Sequence, residues 1–95
     1  MILVTVKIKA KPGQAGALVA LLKEMAAEGR KEPGMVAYEP YSSVEDADTV
    51  FMYELYRDQA ALAEHRANTA LDPFRARFKD LLGGAPEIHN WTEAG

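Results

Sequence analysis

The chain has 95 residues, of which 48% are apolar and 26% charged, a balance typical of a single soluble globular domain. Its net charge is -3 and its Lys and Arg residues form no cluster, so nucleic acid is not an expected partner. It has no cysteine, which excludes disulfides, thiolate metal sites and cysteine nucleophiles.

No apolar run approaches the roughly 20 residues that a membrane span requires. The N-terminal segment also lacks the basic start and continuous apolar core of a signal peptide. We therefore expect a cytoplasmic protein that has no membrane partner.

The first two elements are a strand and a helix. Residues 2–9 alternate between Ile or Val and other residue types, and this period of two predicts a strand. Residues 13–31 have apolar side chains at three- and four-residue spacing, which predicts an amphipathic helix. Pro33 ends that helix, because the residue before a proline is pushed out of helical geometry.

Two further strands follow at residues 35–41 and 49–56, joined by the polar segment SSVEDAD. Both strands are apolar on both faces, which indicates that both faces of the sheet are covered. A domain of this size has too few helices for two faces. A second copy of the same sheet is the simplest second cover, so we expect a homodimer.

The rest of the chain predicts a split helix and a last strand. Asp58 is a suitable N-cap for a helix from Gln59 to about Ala67, a second helix follows from about Ala70 to Leu82, and residues 87–92 form a strand. The order βαββαβ predicts a ferredoxin-like α+β sandwich with helices on one face of an antiparallel sheet. We expect residues 1–95 to form one domain with a core of about residues 2–92.

Two acid–base side chains lie close together in this pattern. Glu54 lies inside the strand 49–56, where an unpaired buried charge costs several kcal/mol, so it must be paired, neutralised or used. His65 lies on the following helix and has an ordinary pKa near neutrality. Strand alternation places Glu54 on the face that we assign to the helices.

These residues predict a catalytic pair in which His65 is the base and Glu54 accepts its N–H. Both have simpler alternatives. His65 also fits a partly exposed helix histidine that only packs or hydrogen-bonds. Glu54 equally fits an ion pair with Arg57, Arg66 or a lysine across the sheet.

The predicted pocket lies between the sheet and the helices, with Val6, Tyr38, Tyr56, Phe74 and Phe78 as its walls. The two tyrosines either hydrogen-bond an oxygenated ring or fill the sheet surface, and the two phenylalanines, four residues apart, form a core or an apolar wall. No metal site is expected. Glu87 and His89 share a strand face, but no third ligand has a suitable spacing.

The sequence resembles the antibiotic biosynthesis monooxygenase family of dimeric α+β barrel proteins. The matching runs are EPGMVAY (32–38), VFMYELYRDQAALAEH (50–65) and PFRARF (73–78). The most recognisable run has a glutamate, an aromatic residue, an aspartate, Ala-Leu and a histidine, here Glu54, Tyr56, Asp58, Ala61, Leu62 and His65. The resemblance implies a homodimer whose two sheets pack face to face, with one pocket in each protomer.

The resemblance implies several reactions. Some members oxidise anthrone- or quinol-type aromatics with dioxygen and no cofactor, others degrade haem, and one branch isomerises a phosphorylated signalling sugar. The haem branch requires an Asn, a Trp and a haem-ligating His where this sequence has Val6, His65 and Phe78, so haem degradation is not expected.

We therefore expect a monooxygenase without a cofactor that acts on a small quinol- or anthrone-like aromatic, with His65 as base and Glu54 as its partner. One alternative is an isomerase or another proton-transfer enzyme that acts on a small carbonyl compound. The other is a non-catalytic dimer that binds a small molecule.

Overall fold

The computed structural model describes every residue from Met1 to Gly95. The elements in chain order are β1 (Ile2–Lys9), α1 (Ala15–Gly29), β2 (Met35–Ser42), β3 (Thr49–Tyr56), α2 (Gln59–Ala67), a 3-10 turn (Thr69–Leu71), α3 (Asp72–Leu81) and β4 (Glu87–Thr92). The four strands form one sheet in the order β2-β3-β1-β4, and each neighbouring pair is antiparallel. The predicted ferredoxin-like α+β class is confirmed.

The helices differ from the prediction at their ends. α1 begins at Ala15 rather than at residue 13, because Gly13 has a φ of +77° and forms part of a turn. It ends at Gly29. The second half of the split helix opens with the 3-10 turn, and α3 begins at Asp72 with Pro73 in its first turn, where a missing N–H is tolerated.

Side chains alternate along β1 and β3 between two environments. Every second residue points to the helices and is buried, including Val4, Val6 and Ile8 on β1 and Val50, Met52, Glu54 and Tyr56 on β3. These residues pack with Leu18, Leu21 and Leu22 of α1 to form the core. The predicted placement of Glu54 on the helix face of the sheet is therefore confirmed.

The opposite face, which we call the open face, has no helix over it. It carries Leu3, Thr5, Phe51, Tyr53 and Leu55, all half-buried. Trp91 of the edge strand β4 lies beside them, and its indole N–H donates to the Thr5 hydroxyl at 2.9 Å. The homodimer that this face predicts stays a prediction. None of the helices combines the length and the apolarity needed to cross a membrane.

Candidate active site

His65 lies in the last turn of α2 and is 9% exposed. The helix begins directly after β3, where the Asp58 carboxylate accepts the Ala61 N–H at 2.9 Å and caps it. Two turns later the imidazole packs between two tyrosine rings. The ring centroids of Tyr38 and Tyr56 are each 5.3 Å from that of His65. The ring of His65 therefore has a fixed position on the helix face of the sheet.

Glu32, which lies just before β2, holds one side of this ring. Its carboxylate oxygens are 3.0 and 3.1 Å from His65 Nδ1. The side-chain amide of Asn68 donates to the same carboxylate at 2.9 Å. Both side chains of the ion pair are nearly buried, at 11% and 12% exposed. Glu32 is therefore the carboxylate that orients the histidine.

The predicted hydrogen bond between Glu54 and His65 is wrong. Glu54 Oε1 is 3.9 Å from His65 Nε2, which is beyond hydrogen-bond distance. That oxygen instead accepts the hydroxyl of Tyr56 at 2.5 Å. Glu54 and His65 do lie close together, as expected. The Glu54 carboxyl group faces Nε2 of the ring, whereas Glu32 contacts Nδ1.

A close backbone contact brings Glu32 to His65. A Cβ atom at Gly34 would lie 2.3 Å from the Cβ of Ala61, so only glycine allows α2 to approach this turn so closely. The Arg57 N–H also donates to the Gly34 carbonyl at 2.9 Å, which ties the start of β2 to the end of β3. One helical turn beyond Ala61, His65 then lies beside Glu32.

The hydrogen bonds of Glu32 determine the tautomer of His65. The Glu32 carboxylate accepts a hydrogen bond from the Asn68 amide and has no proton of its own to donate. It must therefore also accept from the ring, so His65 Nδ1 carries the proton. In the neutral imidazole, Nε2 therefore has a free lone pair. Burial lowers the pKa of His65, against the opposing effect of Glu32, so the ring is mostly neutral at pH 7. It is a base at one defined atom.

Glu54 is a carboxyl group that changes protonation near neutrality. It is 8% exposed. Burial raises its pKa to about 7, against the opposing effects of the Tyr56 hydrogen bond and the positive charge of Arg66. A free base at Nε2 and a partly protonated carboxyl therefore lie within 3.9 Å of each other.

Both groups open into a cleft with two adjoining parts. One part, of about 180 Å³, is mainly apolar, and we call it the narrow part. The other, of about 260 Å³, is the wide part and is more polar. Residues common to both walls are Val6, Glu54, His65, Arg75 and Ile88. The narrow part adds Ile8, Leu22, Met25, Tyr38, Met52, Phe78 and Pro86, and the wide part adds Val4, Leu62 and Arg66.

Three of the five predicted wall residues line this cleft: Val6, Tyr38 and Phe78. Tyr56 does not, because it is fully buried behind the wall, where its hydroxyl fixes the carboxyl described above. Phe74 packs against the core from α3 and also lies outside the cleft lining. That any of these residues contacts a substrate stays a prediction.

The family model described as antibiotic biosynthesis monooxygenase matches residues 1–82. The chain belongs to this family. Its relatives include the protein named "Putative monooxygenase Rv0793" of Mycobacterium tuberculosis, which is 36% identical over 72 residues, 76% of this chain and 70% of that protein. The uncharacterised protein sll1783 of Synechocystis is 30% identical over 87 residues, 92% of this chain. The present chain spans 59% of the length of that relative.

Solved structures of family-like proteins have the same fold. The structure of Rv0793 aligns with a TM-score of 0.88 at 28% identity, covering 99% of this chain and 95% of that one. PA3566 of Pseudomonas aeruginosa aligns with a TM-score of 0.87 at 28% identity, covering 99% and 94%. Membership of the family leaves the substrate and the reaction of this chain open.

Tyr38 adds a hydrogen-bond donor to the narrow part of the cleft. It is 3% exposed, and no enclosed side-chain nitrogen or oxygen atom in the protein lacks a hydrogen-bond partner. The Tyr38 hydroxyl makes no hydrogen bond within the protein, so it must contact the open volume of the cleft that its ring lines. Burial, together with the charges of Glu54 and Glu32, raises its pKa, so it stays protonated.

No three His, Asp or Glu side chains converge closely enough to bind a metal ion. Glu87 and His89 lie on the exposed strand β4, away from the cleft. That the protein works without a cofactor stays a prediction.

Sequence reasoning missed Glu32 as a site residue. It stands in the run EPGMVAY, where its only visible signal is an acid next to a Pro-Gly stop. Its partner His65 lies 33 residues away, and no spacing rule connects a loop to a helix across a hairpin.

Proposed function

We propose that the protein is a monooxygenase that uses no cofactor and oxidises a small one-ring quinol with dioxygen, as a homodimer. The observation that carries the proposal is the orientation of His65 by Glu32, which leaves Nε2 as a free base in the cleft. A base in this position suits removal of a phenolic proton, because burial lowers the pKa of His65 and keeps the ring in its neutral, basic form.

The reaction begins when His65 Nε2 takes one phenolic proton from the quinol. The resulting phenolate is electron-rich and transfers an electron to dioxygen, and recombination at a ring carbon forms a hydroperoxide. Loss of water from the hydroperoxide gives a hydroxyquinone. One quinol and one dioxygen thus become one hydroxyquinone and one water, and all four electrons come from the substrate.

Glu54 and Tyr38 have complementary roles in this scheme. Protonated Glu54 donates to the leaving oxygen of the hydroperoxide, since its pKa of about 7 keeps part of it in the acid form. The Tyr38 hydroxyl donates to an oxygen of the ring. Both side chains are largely buried, and hydrogen bonds to a developing charge are stronger in such an environment than in water.

The size of the cleft supports a substrate with one ring. Its narrow part has about 180 Å³. For comparison, an apolar cavity of about 150 Å³ in another protein holds a benzene molecule. The names of two relatives, each a "Putative monooxygenase", also support the reaction class.

Oxygen consumption tests the proposal. Purified protein is incubated with a panel of one-ring quinols in an oxygen electrode, and product is analysed after reaction under 18-O dioxygen. We expect catalysed oxygen uptake and one labelled oxygen atom in the hydroxyquinone. His65→Ala should lower the rate by roughly 10²–10⁴-fold, the usual contribution of a positioned acid–base group.

The other histidine provides a matched control. His89 lies on the exposed strand β4 and packs near Trp91, with ring centroids 5.8 Å apart. Because His89 lies opposite Thr5 on the open face, outside the cleft, His89→Ala should retain the wild-type rate in protein that has the wild-type mass. Equal rates for wild type and His65→Ala, with both proteins folded, would contradict the proposal.

A proton-transfer enzyme is the second candidate. The observation that favours it is the short distance of 3.9 Å between a base at Nε2 and the carboxyl of Glu54, a pair able to move a proton between two carbons without oxygen. Exchange of a substrate α-hydrogen for deuterium under anaerobic conditions would identify this reaction. Binding of a ring compound with neither oxygen uptake nor exchange would instead indicate a binding module.

A further inference from the structure

We infer that the ring bound in this cleft carries a carboxylate, which pairs with Arg66 in the wide part. The inference rests on the proposed function for its reaction and deepens it by naming the substrate class, a hydroxylated benzoate. The charges and contacts of the cleft wall carry it.

Arg66 directly follows His65 on α2 and is exposed, yet it lines the wide part of the cleft. Arg57, Arg75 and Arg77 each lie within 4 Å of an aspartate or glutamate. Arg66 forms no such pair. Its planar guanidinium group therefore has all its donors available for a carboxylate, which it recognises with two parallel hydrogen bonds.

Arg75 provides a second positive charge that cannot move away. Its side chain donates to the carbonyls of His65 and Asn68, each at 2.8 Å. It also pairs with Asp72 at 3.0 Å, at the edge of the cleft. The group is half-buried and lines both parts of the cleft. Because the Asp72 carboxylate offsets part of this charge, Arg75 supports a ligand carboxylate at Arg66 only in part.

The acidic groups of the cleft oppose an anion only weakly. The Glu32 carboxylate accepts hydrogen bonds from His65 Nδ1 and from the Asn68 amide, and it does not line the cleft. Glu54 is partly protonated at neutral pH. The wall of the wide part thus contains two arginines, Arg66 and Arg75, and one carboxyl group that is partly protonated. An arginine without an acidic partner in such a wall favours a ligand group of negative charge.

The two parts of the cleft match the two ends of such a ligand. The narrow part is apolar except for the Tyr38 hydroxyl at its wall and the three polar groups that it shares with the wide part, which are His65, Glu54 and Arg75. A hydroxylated ring fits there, with one hydroxyl at His65. A carboxylate on the neighbouring carbon then points into the wide part, towards Arg66. The compound 2,5-dihydroxybenzoate has this pattern of substituents.

Binding of a matched ligand pair tests the inference without turnover. Calorimetry compares 2-hydroxybenzoate with 2-hydroxybenzamide, which has the same shape and no charge. We expect wild type to bind the carboxylate about 5- to 10-fold more tightly, a gain between that of an exposed ion pair and that of a buried hydrogen bond to a charged group. The preference should shrink between about 0.05 M and about 0.5 M salt, because the pair is near the surface.

Three variants locate the charge. Arg66→Gln should abolish the preference and leave binding of the amide unchanged, whereas Arg66→Lys should retain part of it. Arg30→Gln removes the same charge from an exposed arginine just after α1, outside the cleft, and should behave as wild type. Three results would each overturn the inference. Wild type could bind both ligands with equal affinity, Arg66→Gln could retain the preference, or neither ligand could bind at millimolar concentration.

Oxygen uptake with 2,5-dihydroxybenzoate and 2,5-dihydroxybenzamide separates this inference from the proposed function. A carboxylate preference in binding without oxygen consumption supports the inference and contradicts the monooxygenase. Oxygen consumption at equal KM for the two compounds supports the monooxygenase and contradicts the inference of a carboxylate site.

Discussion

The two faces of the sheet are built from the same strands and differ in almost every physical respect. The helix face buries Val6 and Met52 under α1 and places Glu54 in the wall of a cleft. The open face presents Phe51 and Tyr53, half-buried and without a helix over them. We propose that successive residues of one strand thus serve chemistry on one side and assembly on the other.

This difference shows how little chain is needed to separate two functions. Because side chains alternate with a period of two, each strand contributes independently to the two faces. A shift of one residue in register would move Glu54 to the open face and Tyr53 into the core. Substitutions on one face should therefore leave the properties of the other face intact.

The largest expected effect is on the helix face. Glu32→Gln keeps the shape of the side chain but removes its charge, and its amide can present a donor to Nδ1 and favour the wrong tautomer of His65. We expect kcat for quinol oxidation to fall by about 10²–10³-fold with KM nearly unchanged. Steady-state kinetics measure the effect.

The same variant should keep the fold and the mass of the wild type, since it does not touch the open face. A variant as active as wild type would show that Glu32 does not orient the base. A variant that changes mass in light scattering would show that the two faces are coupled.

The next effect is on the open face. We expect a two-fold dimer that buries more than about 1,000 Å² of surface. Tyr53→Lys would place a charge within that interface, and we expect dissociation to become about 10²-fold easier. The new lysine lies opposite Glu39 on β2, which favours a folded protomer.

Light scattering or analytical ultracentrifugation at micromolar concentration measures this. Val44→Lys adds the same charge in the β2–β3 connection, at a residue that is 99% exposed, and should remain dimeric. A monomeric wild type would contradict the dimer itself.

The smallest effect concerns the cost of burying Glu54. Its pKa in the folded protein is about 7, above the ordinary value of 4.5. Between these values the folded state holds more protons than the unfolded state, so the free energy of unfolding falls as pH rises. Glu54→Gln removes this titration and can still accept the hydroxyl of Tyr56. We expect the variant to be more stable than wild type by about 1–3 kcal/mol at pH 8.

Below the ordinary glutamate pKa the two proteins should agree within about 0.5 kcal/mol. The remaining pH dependence of Glu54→Gln should then have the opposite sign, because the lowered pKa of His65 makes stability fall as pH decreases below 6.5. Urea unfolding across this pH range measures both. If the free energy of unfolding of wild type rose relative to that of Glu54→Gln between pH 5 and pH 8, the raised pKa of Glu54 would be contradicted.

The fold was predictable because its signals are local. The alternation in residues 2–9 and 49–56 reflects one buried face, and both strands have the predicted bounds. The helix ends were less accurate, since Gly13 adopts a turn that a helical pattern does not reveal. Burial of Glu54 also followed from the pattern around it, whereas the burial of His65 was not predicted.

The partner of the histidine was not predictable in this way. Whether the ring meets Glu54 or Glu32 depends on how α2 returns over the hairpin, and that angle depends on the contact between Gly34 and Ala61. Tyr56 likewise contacts Glu54 and does not line the cleft. The two residues are two positions apart on the same strand face, so the Tyr56 hydroxyl reaches the Glu54 carboxyl group. These are properties of three-dimensional packing.

The contact of Gly34 has a consequence for folding. It lies at the base of the β2–β3 hairpin, where Glu32 enters and α2 leaves. When β2 pairs with β3, Glu32 before the hairpin and His65 after it come close together. Their contact therefore depends on the pairing of two strands that are neighbours in sequence, which is a contact of low order. The proposed acid–base residues thus lie within one continuous segment of the chain, whereas β1, α1 and β4 contribute only apolar residues to the cleft around them.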